Sequence, residues 1–461
     1  MRTTHPSIPG GTAAPAATES TAASSNESHP ARGPVSLTQQ SSLLMAPHNP
    51  SREFMSWVYQ LNGRLDVPAL AQALDDLVEA HEVLRTVFVT GVGGEGAGIP
   101  GVGPGMVPPL AAVQAAEQVV TPFRPGVLKI VDLDDRPKVQ ALAAAVRAVE
   151  AEYRDLSPWD EPRLSATLYR VAPKTHVLSI FVAEALVDGE SGTLVAAELS
   201  RAYARHAGRQ APDLPLPSEA SYLRWVLDNP VSEQMQERAV EHWRRLRDEP
   251  AAPGFWPTSL DEGGLARSRF FNVPAAHWQH LVDSTPGMAA MPFVVVLSWL
   301  EMALARVVGA ERFVVTSAVS NRSRGAAKDI IGNFVGPVRL LAEMGAGDRL
   351  EDVSPRVLTA LRQAIAASVV PVPLAEARLQ APSPFVPPDP TVSFFMFAER
   401  EGPDLVGVRQ RRFRVNTGRD VLRVNCTPDP EGGRNFFVIS GSAPAGLLDA
   451  LVAELRGFLG L

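Results

Sequence analysis

The clearest pattern along the chain is a short apolar run followed by an amphipathic segment. Residues 177–182 are apolar except for one serine, which predicts a buried strand. Ser191 is a suitable cap for a helix to Ala207, because apolar residues then recur with helical spacing on one face. The residues between these elements lie at a strand-to-helix junction, where rigid neighbours can hold side chains in place for chemistry.

Similar patterns predict helices and strands on both sides of this junction. Asp66 is interpreted as the cap of a helix that ends near His81. The other predicted elements are strands at 84–89, 163–171, 312–318 and 391–397 and helices at 139–153, 231–248, 293–308 and 444–459, the last with Ser442 as a cap. Strands and helices mix in both halves, so the predicted fold class is α/β, built as α+β layers.

Changes in composition suggest the domain boundaries. Residues 1–34 contain almost no large apolar side chains, so we expect a disordered tail. Residues 91–109 are rich in glycine and proline and are interpreted as a loop. Prolines cluster again at 212–217, where we place the boundary between two halves. The expected domains are therefore 35–212 and 213–461.

The overall composition narrows the class of protein. The chain has 461 residues, of which 45% are hydrophobic, and a formal net charge of -7. No block of basic residues interleaved with aromatics is present, so no nucleic-acid partner is expected. The single cysteine, Cys426, excludes an internal disulfide framework and is interpreted as a small core residue. Neither a signal peptide nor an apolar run of about 18 residues is visible, so we expect a cytoplasmic protein without a membrane span.

Two motifs are interpreted as coincidental. The glycine pattern at 91–96 resembles a dinucleotide-binding loop, but residues 97–101 read Ala-Gly-Ile-Pro-Gly and cannot begin the helix that this motif needs. His277 and His280 are three residues apart and lack the spacing and the glutamate of a zinc protease motif. We therefore expect no metal and no nucleotide.

The junction itself carries the candidate chemistry. Glu184, Asp188 and Ser191 follow the apolar strand. A carboxylate in that place is a candidate general base if partial burial raises its pKa. The alternative is a solvated loop with an ordinary Asp-Gly turn.

Five segments, taken in order, resemble the condensation domains of nonribosomal peptide synthetases, which are relatives of chloramphenicol acetyltransferase. The segments are Ser-Leu-Thr-Gln at 36–39, Ala-His-Glu-Val-Leu-Arg-Thr at 80–86, Ala-Glu-Ala-Leu-Val-Asp-Gly at 183–189, Ser-Asn-Arg at 320–322 and Ile-Gly-Asn-Phe-Val-Gly at 331–336. The resemblance covers residues 35–461. It implies two acetyltransferase-like lobes arranged as a V-shaped pseudo-dimer, with a tunnel between them that admits phosphopantetheine arms.

The resemblance also assigns candidate roles. The active-site motif of the family is His-His-x-x-x-Asp-Gly, in which the second histidine acts on the attacking amine or hydroxyl. The structural aspartate of that motif corresponds to Asp188, its glycine to Gly189, and the arginine that usually pairs with the aspartate to Arg322. We interpret Ala183, Ser191 and Ser393 as residues that could line the tunnel.

The chain departs from the family pattern at the two histidines. Ala183 stands at the first position and Glu184 at the second, so Glu184 becomes the candidate catalytic residue. Ser41 replaces an arginine usual in the first segment, and Gly336 an asparagine usual in the last. Glu184 and Asp188 are four residues apart, whereas the heterocyclising branch of the family has aspartates five apart.

Two hypotheses remain open. In the first, the chain is a free-standing enzyme of natural-product biosynthesis that forms an amide or ester, or closes a ring, with Glu184 as the base. Its substrates would arrive on the phosphopantetheine of a carrier protein in trans, since no adenylation or carrier domain is visible. In the second, it is a catalytically silent condensation-like scaffold that binds a carrier protein or recruits a tailoring enzyme.

Overall fold

The computed structural model describes most of the chain. The described residues are 32–45, 54–90, 109–156, 164–214, 217–218, 220–249, 267–322, 327–379, 392–396, 402–413, 422–429, 431–440 and 445–461. Residues 1–31 of the expected tail, nearly all of the glycine-rich loop and the predicted cap Ser442 lie outside them.

The strands are β1 (Arg32–Pro34), β2 (Phe54–Gly63), β3 (Thr86–Thr90), β4 (Ala116–Val120), β5 (Leu128–Asp132), β6 (Leu164–Ala172), β7 (Thr175–Ala183), β8 (Arg267–Val273), β9 (Arg312–Ser320), β10 (Val335–Glu343), β11 (Val392–Met396), β12 (Val408–Phe413), β13 (Leu422–Pro428) and β14 (Arg434–Ser440). The helices are α1 (Leu37–Met45), α2 (Val67–Ala80), α3 (Leu110–Gln114), α4 (Lys138–Asp155), α5 (Gly189–His206), α6 (Tyr222–Asp228), α7 (Glu233–Asp248), α8 (Ala275–Ser284), α9 (Pro292–Val308), α10 (Leu350–Ala367), α11 (Val372–Arg378) and α12 (Ala445–Phe458).

The first half is built on a five-stranded sheet in the order β12-β2-β7-β6-β5. All residues of β7 are buried, which explains why that strand reads as a continuous apolar run. Helix α4 packs on β6 and β7, and α2 packs on α5. Strand β12 comes from the second half of the sequence and pairs antiparallel with β2. The boundary expected at residue 213 therefore does not coincide with a boundary between the sheets, because a strand from beyond it belongs to the sheet of the first half.

The second half is built on a six-stranded sheet in the order β10-β9-β11-β13-β14-β8. Helix α10 packs on β10, and α12 packs on β8 and β14. Helix α9 contacts both of those helices, and its residues from Val294 to Leu304 are buried. Each half thus has its own sheet with helices against it, and the α/β fold class predicted from the sequence is confirmed.

Three local predictions are corrected. Arg32–Pro34 form a strand that pairs with β4, so regular structure begins inside the expected tail. The predicted strand at 84–89 starts at Thr86, because residues 82–85 form a 3-10 turn. Helix α5 is capped by Asp188 and not by Ser191, since the Asp188 side chain accepts from the Ser191 amide. The cap at Asp66 is confirmed, with its side chain accepting from the Ala69 amide.

Among the described residues, no single helix has the length and apolar composition that would let it cross a membrane. Helices α10 and α11 reach that composition only when taken together, and they meet at a bend of 64°.

Candidate active site between the two halves

The candidate site is the turn that joins β7 to α5. Strand β7 ends at Ala183, and Asp188 caps α5 by accepting from the Ser191 amide at 2.8 Å. The Asp188 amide donates to the Gly332 carbonyl at 3.0 Å, which ties the turn to the second half of the chain. Glu184 is exposed, while its neighbours on both sides are buried.

Asp188 and Arg322 form a buried ion pair. The Arg322 Nη2 donates to Asp188 Oδ1 at 2.7 Å and its Nε donates to Oδ2 at 3.2 Å. The two side chains are 1% and 6% exposed. The Phe334 amide also donates to Oδ2, at 3.1 Å. The pairing expected from the resemblance is therefore present, and it is bidentate, which is the strong geometry for a guanidinium and a carboxylate.

The other donors of Arg322 are also bonded. Its Nη1 donates to the carbonyls of Ala327 and Ile330 at 2.7 and 2.8 Å. The guanidinium carbon lies 4.3 Å from the centre of the Phe334 ring, which adds a cation–π contact. An arginine bonded on all sides has no free donor for a substrate, so its position supports a structural role.

Ser191 belongs to this cluster of buried hydrogen bonds. Its hydroxyl donates to the Gly332 carbonyl at 2.7 Å and accepts from the Gly332 amide at 2.9 Å and from Arg322 Nη2 at 2.7 Å. Those three bonds use the full capacity of a hydroxyl group. Ser191 and Ala183 are both 0% exposed, so neither side chain reaches the surface, and their place in a tunnel stays a prediction.

Gly332 is required by the ring that packs on it. A Cβ at this position would lie 2.1 Å from the Tyr222 ring. Tyr222 is buried, its hydroxyl donates to the Asn333 carbonyl at 2.6 Å, and burial raises its pKa to about 12. The Thr38 hydroxyl donates to the same carbonyl at 2.7 Å. The first and last of the five sequence segments therefore meet at this carbonyl.

The Asn333 side chain holds the backbone of the turn. Its Nδ2 donates to the Glu184 carbonyl at 2.7 Å and to the Ser42 hydroxyl at 3.0 Å. Glu184 thus has a fixed main chain and an exposed side chain. The Glu184 carboxylate is therefore accessible to a ligand while the backbone that carries it is held in place.

The electrostatic neighbour of Glu184 is Arg423 on β13. Burial lowers the pKa of the Arg423 guanidinium, and the negative charge of Glu184 acts in the opposite direction. An exposed carboxylate beside a cation is favoured in its charged form. Of the two surroundings left open by the sequence, the exposed side chain matches the solvated turn, and the catalytic role of Glu184 stays a prediction.

Two further predictions concern residues near this site. Ser393 lies on β11 opposite Arg423 in the strand register, and its side chain lies outside the described residues. Cys426 is 0% exposed, which confirms its interpretation as a core residue, and burial raises the pKa of its thiol to about 12. Within the described ranges, no group of three or more His, Cys, Asp or Glu side chains could hold a metal ion.

Sequence reasoning missed Tyr222, Asn333 and Arg423 as parts of this arrangement. Asn333 lies inside the segment at 331–336 that carries the family resemblance, next to a glycine, and this position could have indicated its role. Tyr222 and Arg423 lie outside every segment, and only the folded chain brings them to the turn.

Comparison with known families agrees with this geometry. The condensation domain family matches residues 111–383, which is more than half of the chain. The chain belongs to the condensation domain family. The resemblance inferred from the five segments is therefore confirmed.

Several curated relatives are named as nonribosomal peptide synthetases. The chain is 29% identical over 322 residues to cyclosporin synthetase of Tolypocladium inflatum, covering 68% of this chain and 2% of that protein. It is 29% identical over 308 residues to the isonitrile lipopeptide synthase of Mycobacterium tuberculosis, covering 64% of this chain and 11% of that protein. The chain thus spans only a small part of the length of these relatives.

Solved structures share the fold. The first condensation domain of the CDA synthetase superposes with a TM-score of 0.67 at 20% identity, covering 93% of this chain and 97% of that one. The X-domain in its complex with OxyB from teicoplanin biosynthesis superposes with a TM-score of 0.68 at 21% identity, covering 94% and 93%.

Proposed function

We propose that the chain acts on acyl or peptidyl intermediates that a carrier protein presents in trans on its phosphopantetheine. The reaction is the formation of an amide or ester, or a ring closure, within nonribosomal peptide biosynthesis. Membership of the condensation domain family supports the reaction class. The buried ion pair of Asp188 and Arg322 supports the proposal as well, because it holds the turn that carries Glu184 in place.

The observation that carries this proposal is the exposed Glu184 side chain at the position of the second histidine. Its backbone is fixed by Asn333, and Arg423 lies near enough to interact with its charge. A charged carboxylate held there can stabilise positive charge that develops on an attacking nitrogen. Glu184 acts through this charge and through orientation of the nucleophile, and it does not need a raised pKa.

The bonds change as follows in the proposed reaction. The lone pair of the acceptor nitrogen or oxygen attacks the thioester carbonyl carbon, and the carbon–sulfur bond then breaks. The phosphopantetheine thiol leaves, and the proton lost by the nucleophile ends on the departing sulfur. Alignment of two tethered substrates supplies a large part of the rate in such a reaction.

A second candidate function is a silent scaffold that binds a carrier protein or recruits a tailoring enzyme. The replacement of both histidines by Ala183 and Glu184 favours it, because neither residue is a ready base. The X-domain, a structural neighbour of this chain, forms a complex with OxyB. A similar recruiting surface on this chain would need no catalytic side chain.

Reconstitution with loaded carrier proteins separates the two candidates. Intact-protein mass spectrometry follows the carrier-bound intermediates with and without the chain. We expect the acyl or peptidyl group to leave its donor carrier only when the chain is present. A stable complex with the carrier that leaves the intermediate unchanged would favour the scaffold and contradict the enzyme.

A further inference from the structure

A pocket lies at the opposite end of β7 from the candidate active site. Its volume is about 380 Å³, and His176 lies in its wall. His176 and Glu184 are eight residues apart along this strand, which corresponds to about 26 Å of extended chain. The pocket is therefore separate from the turn at Glu184, and nothing in the proposed reaction uses it.

Charges of both signs line this pocket. Arg64 and Arg170 provide guanidinium groups, and Asp134 provides a carboxylate. Arg170 also meets Asp132 through a single contact of 3.2 Å, and both of those side chains are partly exposed, at 39% and 61%. Such an exposed pair is weak, so Arg170 keeps donors for a ligand.

His176 adds a buried polar group to the wall. It is 6% exposed, and its Nδ1 has no hydrogen-bond partner among the described residues. Burial lowers its pKa, and the nearby Arg170 lowers it further, so the ring is neutral at neutral pH. A buried nitrogen without a partner is costly, and such groups in native proteins usually have a ligand, ion or water to explain them.

The remaining wall is apolar. It consists of Leu65, Val67, Ala172 and Pro173. Half of the lining residues are therefore apolar and half polar, which suits a small ligand that carries both charged and apolar groups.

We propose that this pocket binds a small zwitterion, a molecule of the amino acid type with one carboxylate and one ammonium group. Arg64 and Arg170 bind the carboxylate, because a guanidinium matches a carboxylate in two parallel hydrogen bonds. Asp134 binds the ammonium group, which accounts for a carboxylate that a pure anion site would not contain. The apolar wall contacts the side chain of the ligand.

Calorimetric titration of the full chain tests this assignment without reference to catalysis. L-leucine is the first probe, followed by other apolar L-amino acids. N-acetyl-leucine lacks the ammonium charge, and leucine amide lacks the carboxylate. We expect saturable binding of a free amino acid and at least tenfold weaker binding of both derivatives. Absence of saturable binding for every amino acid, or equal binding of the derivatives, overturns the proposal.

Variants locate the site. Arg64→Gln and Asp134→Asn change exposed charges, so both proteins are expected to fold, and each should weaken binding at least tenfold. Arg147→Gln removes an exposed arginine on α4 and is the matched control, with unchanged binding. NMR of the His176 ring gives a second readout, with a shift on addition of the amino acid. Unchanged binding in Arg64→Gln and Asp134→Asn would place the ligand elsewhere and overturn the assignment.

Discussion

Two carboxylates four residues apart in one turn have opposite surroundings. Asp188 is buried, and its two oxygens accept from Arg322, Ser191 and Phe334. Glu184 is exposed and interacts with Arg423 through charge. Both interactions join the first half of the chain to the second. The Asp188 carboxylate is occupied by contacts within the protein. The Glu184 carboxylate stays accessible from solvent.

The largest expected effect comes from breaking the buried pair. Asp188→Ala removes the bidentate partner of buried Arg322, which keeps a single ionic contact with the exposed Glu190, and it also removes the cap of α5. We expect a loss of about 3 to 5 kcal/mol in the free energy of unfolding. Urea denaturation measures it, with the exposed Asp213→Ala as a control. A loss below about 1 kcal/mol would show that Asp188 is not the structural member of the comparison.

Glu301 is a third carboxylate to compare with Asp188 and Glu184. It is buried like Asp188 but has no arginine bound to it in the bidentate way. Burial raises its pKa to about 8, and the charge of Arg356 opposes this only in part. The folded state keeps this proton up to about pH 8, whereas the unfolded chain releases it near the ordinary pKa of a glutamate, 4.5.

This carboxyl group therefore lowers stability as pH rises from about 5 to 8, by at most about 1.4 kcal/mol per pH unit. Denaturation midpoints measured at pH 6 and pH 8 should differ less in Glu301→Gln than in the parent chain. An identical pH dependence in the two proteins would argue against a protonated Glu301.

A packing variant tests whether the buried cluster depends on close contact. Gly332→Ala places a methyl group 2.1 Å from the Tyr222 ring, which is itself held by the Asn333 carbonyl. We expect a loss of about 1 to 3 kcal/mol, because a buried ring has little room to move. Gly446→Ala is the control, since a Cβ there meets nothing within 4 Å. Equal stability of both variants would mean that the Tyr222 ring moves away from the added methyl group without any loss in the free energy of unfolding.

The smallest expected effect on stability comes from Glu184. Glu184→Gln keeps the size of an exposed side chain and leaves its backbone bond to Asn333 in place. We expect a change of about 0.5 kcal/mol or less. Thermal denaturation beside the parent chain measures it. A large loss in the free energy of unfolding would show that the folded state depends on the charge interaction between Glu184 and Arg423.

Local elements of the fold were predictable because their patterns are local. The apolar run of β7 and the cap at Asp66 follow from neighbouring residues. The cap of α5 was misplaced, because Asp188 and Ser191 are both good caps three residues apart. The pairing of Asp188 with Arg322 came from the family resemblance.

The remaining features depend on contacts between distant parts of the chain. No pattern near residues 408–413 indicates that they join the sheet of the first half. The meeting of Glu184 with Arg423 depends on how β13 faces the turn, and no spacing in the sequence encodes it. For the same reason the sequence left open whether Glu184 is partly buried or lies in a solvated turn, and the structure has its side chain exposed.

The central claim is that the turn is divided into a structural carboxylate and a functional one. The most direct test is the turnover of carrier-bound intermediate by Glu184→Gln, followed by mass spectrometry. We predict a fall of about a hundredfold, typical for the loss of a charged group at the reacting centre, in a protein that unfolds like the parent. Glu79→Gln, an exposed substitution on α2, should retain full turnover. Unchanged turnover in Glu184→Gln would contradict the account, because it would remove Glu184 from the mechanism and leave the positioning of the two substrates as the source of the rate.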